Sequence, residues 1–309
     1  MNYKQWIDDW LEHYVKPSSK EKTYQRYREI CEQHLIPKIG LYEINEITPI
    51  VVQKYISELL KHGNLKTGKG LAASSVNSII TVIQASMKMA SIVGVTTEYE
   101  MYKLKRPKMT EKAVDCFSIA EQKRIEQFAL NDRRDKMKGV VICLYTGVRI
   151  GELLALEWSD IDFVNGEMSI SKTCYDGIDE NGNYCRKVGV PKTVTSTRII
   201  PIPKAILRIL KEMKKSGKSN FLISSEGKTI SVRSYQRSFE LMLKRLDIKH
   251  HGFHSLRHTF ATRALECGMD VKTLSEILGH KSPTITLNRY AHSMTDYKKN
   301  MMNRIGKLL

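Results

Sequence analysis

Two arginines, two histidines and a tyrosine from residue 149 onward are the residue types that phosphodiester transfer needs. Arg149 stands in TGVRIGELLAL after an apolar run and a glycine, and Glu152 three residues on shares its helical face. His254 and Arg257 stand at i and i+3 in HGFHSLRHTFATRAL, with Leu256, Phe260, Ala261 and Ala264 on another face. His280 follows Gly279 in LGHKSPTITLNRYAH, where Ser282 and Pro283 open a helix that presents Tyr290 about two turns later. The planar fork of arginine donates two hydrogen bonds to one phosphate. A tyrosine supplies the nucleophile, and histidines carry protons. Singly, each residue has a plainer use, such as a structural ion pair or a packed aromatic. Grouped, they describe strand transfer without a metal, provided that three distant segments converge.

Competing chemistries in the same sequence are weaker. His250, His251, His254 and His258 crowd one segment, and 254 and 258 have zinc-ligand spacing. No third ligand stands at metal-site spacing, however, and Arg257 would set a positive charge beside the ion. Gly63, Gly68 and Lys69 imitate a phosphate loop, but Gly70 occupies the magnesium-binding Ser or Thr position, and a helix rather than a strand precedes it. Neither metal nor cofactor is expected. Cys31, Cys116, Cys143, Cys174, Cys185 and Cys267 form no CxxC pair and read as reduced thiols, although Cys174 and Cys185 flank a turn and could face each other across a hairpin.

The elements that must position these groups are mainly α-helices with one small antiparallel β-sheet. The first hundred residues predict a four-helix bundle. Trp6, Trp10, Leu11 and Tyr14 mark a helix ended by Pro17. A second, opened by a Ser18 to Glu21 capping box, is stopped by Pro37 and Gly40. Thr48 and Pro49 start a third helix that ends near Leu59 and Leu60, and a fourth runs from about Ser74 to Gly94. Residues 101 to 114, MYKLKRPKMTEKAV, read as a basic connector carrying Lys103, Lys105, Arg106 and Lys108. After it come a Ser118 to Glu121 capping box, the apolar helix GVVICLYTG, a break at Gly147 and the helix RIGELLALEW. Alternating residues from 161 to 203 predict strands around Met168–Ser171 and Val194–Ile202, with the turn DENGN at 179 to 183 between them. The expected division is a domain over 1–102, a linker over 103–114 and a second domain over 115–309.

The 309 residues carry 50 Lys and Arg against 33 Asp and Glu, a formal charge of +17 and a pI near 9.5. Such a surface is drawn to polyanions, so nucleic acid or an anionic membrane surface leads and basic partners are excluded. With 41% hydrophobic and 27% charged residues, each domain can bury an ordinary core, which excludes wholesale disorder. No apolar run is long enough to span a membrane, and the polar start MNYKQWIDDW lacks the apolar stretch of a signal peptide. The cytoplasm is the expected compartment.

In order, TGVRIGELLAL, PKTVTSTRIIPIP, HSLRHTFAT and LGHKSPTITLNRYAH resemble the signature boxes of the tyrosine recombinases, the phage-integrase family, and of integrases of conjugative transposons in particular. The resemblance covers the second domain; the first matches the family's core-binding domain in size and position only. It implies a helical core-site DNA-binding domain followed by an α+β catalytic domain. Tyr290 would attack phosphorus, forming a 3′-phosphotyrosyl link and releasing a 5′-hydroxyl. Arg149 and Arg257 would bind the scissile phosphate, and Lys192, on the hairpin, would be the general acid. His254 and His280 would assist proton transfer and hold the phosphate. Glu152 would orient the site through Arg149 or the hairpin. Lys172 and Lys187 are rivals to Lys192, which is preferred because Lys-Thr before a Ser-x-Arg strand fits the family pattern.

The same resemblance implies duplex DNA with recombination sites as partner, and a tetramer joined through a C-terminal amphipathic tail carrying Met294, Tyr297, Met301, Ile305 and Leu308. It also implies an accessory directionality factor and a bacterial, nucleoid-associated location. The linker cations would lie on DNA phosphates. Many transposon integrases begin with an arm-binding domain, whereas this sequence enters its core-binding helices at once, so that domain is expected to be either naturally absent or removed. The alternatives are a type IB topoisomerase, which relaxes DNA without exchanging partners, and a non-catalytic DNA-binding regulator. The filled catalytic positions count against the second.

Overall fold

A computed structural model describes the chain except residues 97–99, 110–113, 179–183, 190–196, 217–218, 226, 228, 291–301, 304–305 and 307–309. The chain divides into two compact units, Met1–Glu111 and Lys112–Leu309.

In the first unit, Asn2 caps α1 (Tyr3–Trp10) through a reciprocal capping box with Gln5. Helix α1 does not stop at Pro17. It passes through a π-helical turn, Leu11–Val15, into α2 (Lys16–Ser18). The second helix repeats the device. Helix α3 (Glu21–Ile30) continues through a π-turn, Cys31–Leu35, into α4 (Ile36–Ile39), which contains Pro37. A widened turn before each proline relieves the hydrogen bond and the space that a helical proline forfeits. The Ser18 capping box is also absent. Ser18 Oγ donates back to the Tyr14 carbonyl, and Lys20 becomes the N-cap of α3 without a side-chain bond. Thr48 does cap α5 (Pro49–His62), accepting from the Val51 amide at 3.4 Å.

Helix α6 (Ala73–Ile92) runs through this core, burying Val76, Ile79, Ile80, Ile83, Met87 and Ala90 at helical spacing against Trp6, Ile7, Leu35 and Ile56. Tyr3 and Trp6 tie their polar tips to Ser86, at 2.7 and 3.1 Å. The stretch expected as a connector belongs in part to this unit. Met101 and Leu104 are buried in its core, and Gln53 and Lys105 exchange bonds of 3.3 and 3.0 Å. Arg106 donates to the Asn77 carbonyl, Thr81 and Gln84. Two apolar anchors and an arginine fork hold these residues where polar composition alone suggests an open strap.

The second unit opens with α7 (Ile119–Asn131), capped by the Ser118 and Glu121 box. Helix α8 (Lys138–Thr146) is buried nearly all round, which makes it the central helix. Helix α9 (Ile150–Ala155) follows. Strands β1 (Ile161–Asp162), β2 (Glu167–Ile170) and β5 (Arg198–Pro201) form an antiparallel sheet in the order β1-β2-β5, with Met168 opposite Ile200 and Ile170 opposite Arg198.

Instead of one sheet, the described residues form two. β3 (Thr173–Ile178) and β4 (Tyr184–Gly189) make a separate hairpin, with β3 packed on α9. Ser171 and Lys172 break the ladder, and Lys172 is held by Glu157 and Asp160 at 3.0 and 3.3 Å. Cys174 pairs with Val188 and Cys185 with Gly177, so the two are not opposite each other, and all six cysteines are free thiols. The turn at 179 to 183 and the start of the strand expected at 194 lie outside the described residues.

Helices α10 (Lys204–Ser216), α11 (Val232–Arg245), α12 (His254–Glu266), α13 (Val271–Leu278) and α14 (Pro283–Tyr290) complete this unit. Most of its apolar residues form one core, but Ala261, Ala264, Leu265, Leu274, Leu278 and Tyr290 form a second, small cluster between α12, α13 and α14. None of the described helices is long and apolar enough to cross a membrane. The tail expected as an amphipathic helix lies, apart from Met302, Asn303 and Gly306, outside the described residues.

Candidate active site

Glu152 is the first organising group. Arg149 is the N-cap of α9, and Glu152 at the third helical position accepts from the Arg149 amide at 2.9 Å and from its Nη1 at 2.7 Å. On its other side Arg198 of β5 donates Nη1 and Nη2 to the same carboxylate at 3.1 and 2.8 Å. The side chains of Glu152 and Arg198 are 4% and 7% exposed. Burial pushes the Glu152 carboxyl up, but the Arg198 bond and the charges of Arg198 and Arg149 outweigh it and leave it at about 2. The carboxylate is therefore ionised and fixes two arginines at once, one on a helix start and one on the sheet.

Two helix ends are the second organising feature. Gly147 and Gly279, at φ +65° and +64°, adopt the left-handed conformation that ends α8 and α13, which glycine adopts without penalty. The carbonyls released there face arginines. Arg257, 2% exposed on α12, donates Nη1 to Gly147 O at 2.8 Å and Nη2 to Leu278 O at 2.6 Å. Arg149 Nη2 reaches Gly279 O at 3.3 Å. A cation at a helix C-terminus satisfies unpaired carbonyls and opposes the dipole. Burial and the charge of Arg149 press the Arg257 guanidinium downward, though only to about 9, so it stays charged at neutral pH.

Tyr290 closes α14 and is 1% exposed. Its hydroxyl lies 2.8 Å from Nδ1 of His258. Burial raises its pKa, while the charges of Arg257, Arg289 and Arg149 pull the other way. His254 lies edge-on to His258, ring centroids 4.6 Å apart, and Nδ1 of His280 is 2.7 Å from Thr286 Oγ1. All three imidazoles are lowered from 6.5 to about 4: first by burial, then for His254 and His280 by Arg257, and for His258 by His254 and the nearby arginines. Each is neutral at pH 7.

A group whose charged form is disfavoured by folding takes up its proton more readily in the unfolded chain. These histidines therefore contribute stability that is present above pH 6.5 and is lost as pH falls from 6.5 toward 4. Below that, Glu152 adds a further loss between 4.5 and about 2. His254 is the most open to solvent of the three, which weakens the effect of burial on it, so half-buried His258 and His280 carry most of the first effect. A urea titration of the protein at pH 7.5 and pH 4.5 is expected to differ by on the order of 2 kcal/mol after allowance for solvent screening, and replacing both His258 and His280 by Gln should flatten the slope.

Of the residues singled out by sequence, Arg149, Glu152, His254, Arg257, His280 and Tyr290 are brought into one electrostatic neighbourhood. Lys192 lies outside the described residues. Its rival Lys172 is engaged by two carboxylates, and Lys187 stands on β4 opposite Tyr175. Lys103, Lys105, Arg106 and Lys108 belong to the first unit. Sequence reasoning missed Arg198 as a partner of Glu152 and His258 as the partner of Tyr290. Arg198 lies on the STRIIPIP strand, where local spacing names no partner for it, and His258 reads by its spacing from His254 as a zinc ligand. His254 and His258 at i and i+4 were the available signal.

Residues 117–296 match the phage integrase family, and residues 2–60 match the phage integrase N-terminal SAM-like domain. A tyrosine recombinase XerC-like protein of Caldanaerobacter subterraneus subsp. tengcongensis is 30% identical, over 97% of this chain and 81% of its own. The ICEBs1 integrase of Bacillus subtilis is 27% identical, over 94% and 79%. In fold, the chain is similar to the Tn1549 transposon integrase solved with transposon right end DNA. The TM-score is 0.80 at 23% identity, over 99% of this chain and all of that one.

Proposed function

Because this chain belongs to the phage integrase family and is a tyrosine recombinase that breaks and rejoins DNA, we propose that it integrates and excises a mobile element, and that Tyr290 is its nucleophile. The observation that carries this reading is the placing of the Tyr290 hydroxyl in the field of two arginines, Arg257 and Arg149, that are themselves fixed by helix ends and by Glu152. Tyr290 Oη bonds to phosphorus, the bond to the 5′ oxygen breaks, and a 3′-phosphotyrosyl link forms. Arg149 and Arg257 hold the non-bridging oxygens and offset the charge that builds on them. His254 and His280 hold the same phosphate. Glu152 positions Arg149 and, through Arg198, strand β5.

Lys192 gives the 5′ oxygen its proton. The pairing of Lys172 with Glu157 and Asp160 supports that choice. The phosphotyrosine conserves the energy of the broken bond, so rejoining needs no nucleotide. Exchanging two duplexes cuts four strands, and with one nucleophilic tyrosine per chain this calls for four protomers, joined through the C-terminal tail. Lys103, Lys105, Arg106 and Lys108 lie on the duplex backbone and set the salt dependence of binding. The relative named for ICEBs1 and the Tn1549 integrase solved with transposon end DNA support a transposon-like element as the cargo. Duplex DNA is the partner, an accessory factor sets direction, and the work is done on the bacterial nucleoid in the cytoplasm.

The test is a two-site plasmid recombination assay with sequencing of the junctions formed. Recombinants sharing one short core sequence are expected. Relaxation of any supercoiled plasmid without recombinants would instead mark a topoisomerase.

A further inference from the structure

We propose that His258 is the general base of strand cleavage, taking the phenolic proton of Tyr290 on Nδ1 as Oη bonds to phosphorus. The proposal rests on the reading of Tyr290 as nucleophile. Tyr290 is 1% exposed, so its proton has no direct path to bulk water and needs a side-chain acceptor in contact. Among the described residues, that acceptor is His258, at 2.8 Å and with its ring edge-to-face at 5.7 Å. His254, to which the resemblance gives a proton-transfer role, touches the His258 ring instead, and His280 has its Nδ1 on Thr286. His258 follows Arg257 directly on α12, so one turn of one helix supplies both a phosphate ligand and the proton acceptor.

The charge state suits the task. Burial, His254, Arg289 and Arg257 keep the ring neutral, and a neutral imidazole with its proton on Nε2 offers Nδ1 as acceptor. A phosphodiester anion held by Arg149 and Arg257 brings negative charge beside the ring and moves its pKa back toward the operating range. In cleavage the Oη–P bond forms, the P–O5′ bond breaks, the phenolic proton passes to Nδ1, and the leaving oxygen is protonated separately by Lys192. In rejoining, His258 returns the proton to Tyr290.

The experiment measures covalent adduct formation on a nicked suicide duplex carrying the junction sequence recovered from recombinants. His258→Ala is expected to slow adduct formation by about 10²–10⁴-fold, with duplex binding unchanged and the thermal transition lowered by only about 2–4 °C for the lost bond to Tyr290. His258→Gln, which keeps a hydrogen-bonding side chain but takes no proton, should be slowed equally. Without the base, both variants should gain about tenfold in rate per pH unit between roughly pH 6 and 9, where the wild type is nearly flat.

His258→Ala reacting at or above the wild-type rate overturns the proposal. Recovery of the rate by His258→Gln, or a slowed His258→Ala with the wild-type pH profile, overturns it too and leaves a positioning role. An adduct formed by Tyr290→Phe would remove the nucleophile reading itself and the proposal with it.

Discussion

With Tyr290 replaced by Phe, the protein is expected to bind its duplex at wild-type affinity and to form no covalent adduct with a nicked suicide substrate. The loss should be complete, because the change removes the one atom that bonds to phosphorus and nothing else. The phenyl ring keeps its place in the cluster of Ala261, Ala264, Leu265, Leu274 and Leu278. The single interaction forfeited is the bond to His258, worth about 1 kcal/mol. Folding and binding thus act as internal controls for the chemistry. Gel-shift titration and denaturing electrophoresis of the same samples separate the two, and a covalent band from the Phe variant would exclude Tyr290.

Arg257→Ala is expected to fail on two counts, and the structure explains why they are coupled. Its guanidinium joins the C-terminal carbonyls of α8 and α13 across a buried site, so its removal leaves two carbonyls and two helix dipoles unopposed. Charge-assisted bonds of this kind contribute on the order of 1.5–3 kcal/mol each, so a loss of about 3 kcal/mol or more in urea unfolding is expected. Cleavage should drop by at least 10²–10³-fold beyond any unfolded fraction, since the same group is a transition-state donor. Arg149→Ala provides the contrast. That side chain is 35% exposed, and its loss should reduce cleavage comparably at a smaller cost in stability. Unchanged unfolding in Arg257→Ala would refute the architectural role. Equal losses of binding and cleavage in Arg149→Ala would refute the catalytic one.

The local rules in the sequence were legible where both partners lie within one turn. Ser118 and Glu121, Thr48 with Pro49, the break at Gly147 and the pair Arg149 and Glu152 all follow from signals within a single helical turn. Where local rules failed, a neighbour one turn away had outbid them. Ser18 turned back to Tyr14 instead of capping forward, and the π-turns at Leu11–Val15 and Cys31–Leu35 carried helices through prolines that composition reads as stops. The second β-hairpin was hidden for a similar reason, because alternation marks strands but not which sheet each one joins.

By itself the sequence determined the chemistry on offer: a basic chain, boxes holding two arginines, histidines and a tyrosine, and helices to carry them. Only the tertiary structure decided who acts on whom. Arg198 meets Glu152 across 46 residues, His258 meets Tyr290 across 32, and Arg257 meets Gly147 across 110. A helical or strand period reports which face a side chain takes within its own element. Long-range partners are chosen by packing between elements, where burial removes competing water and makes each such hydrogen bond selective.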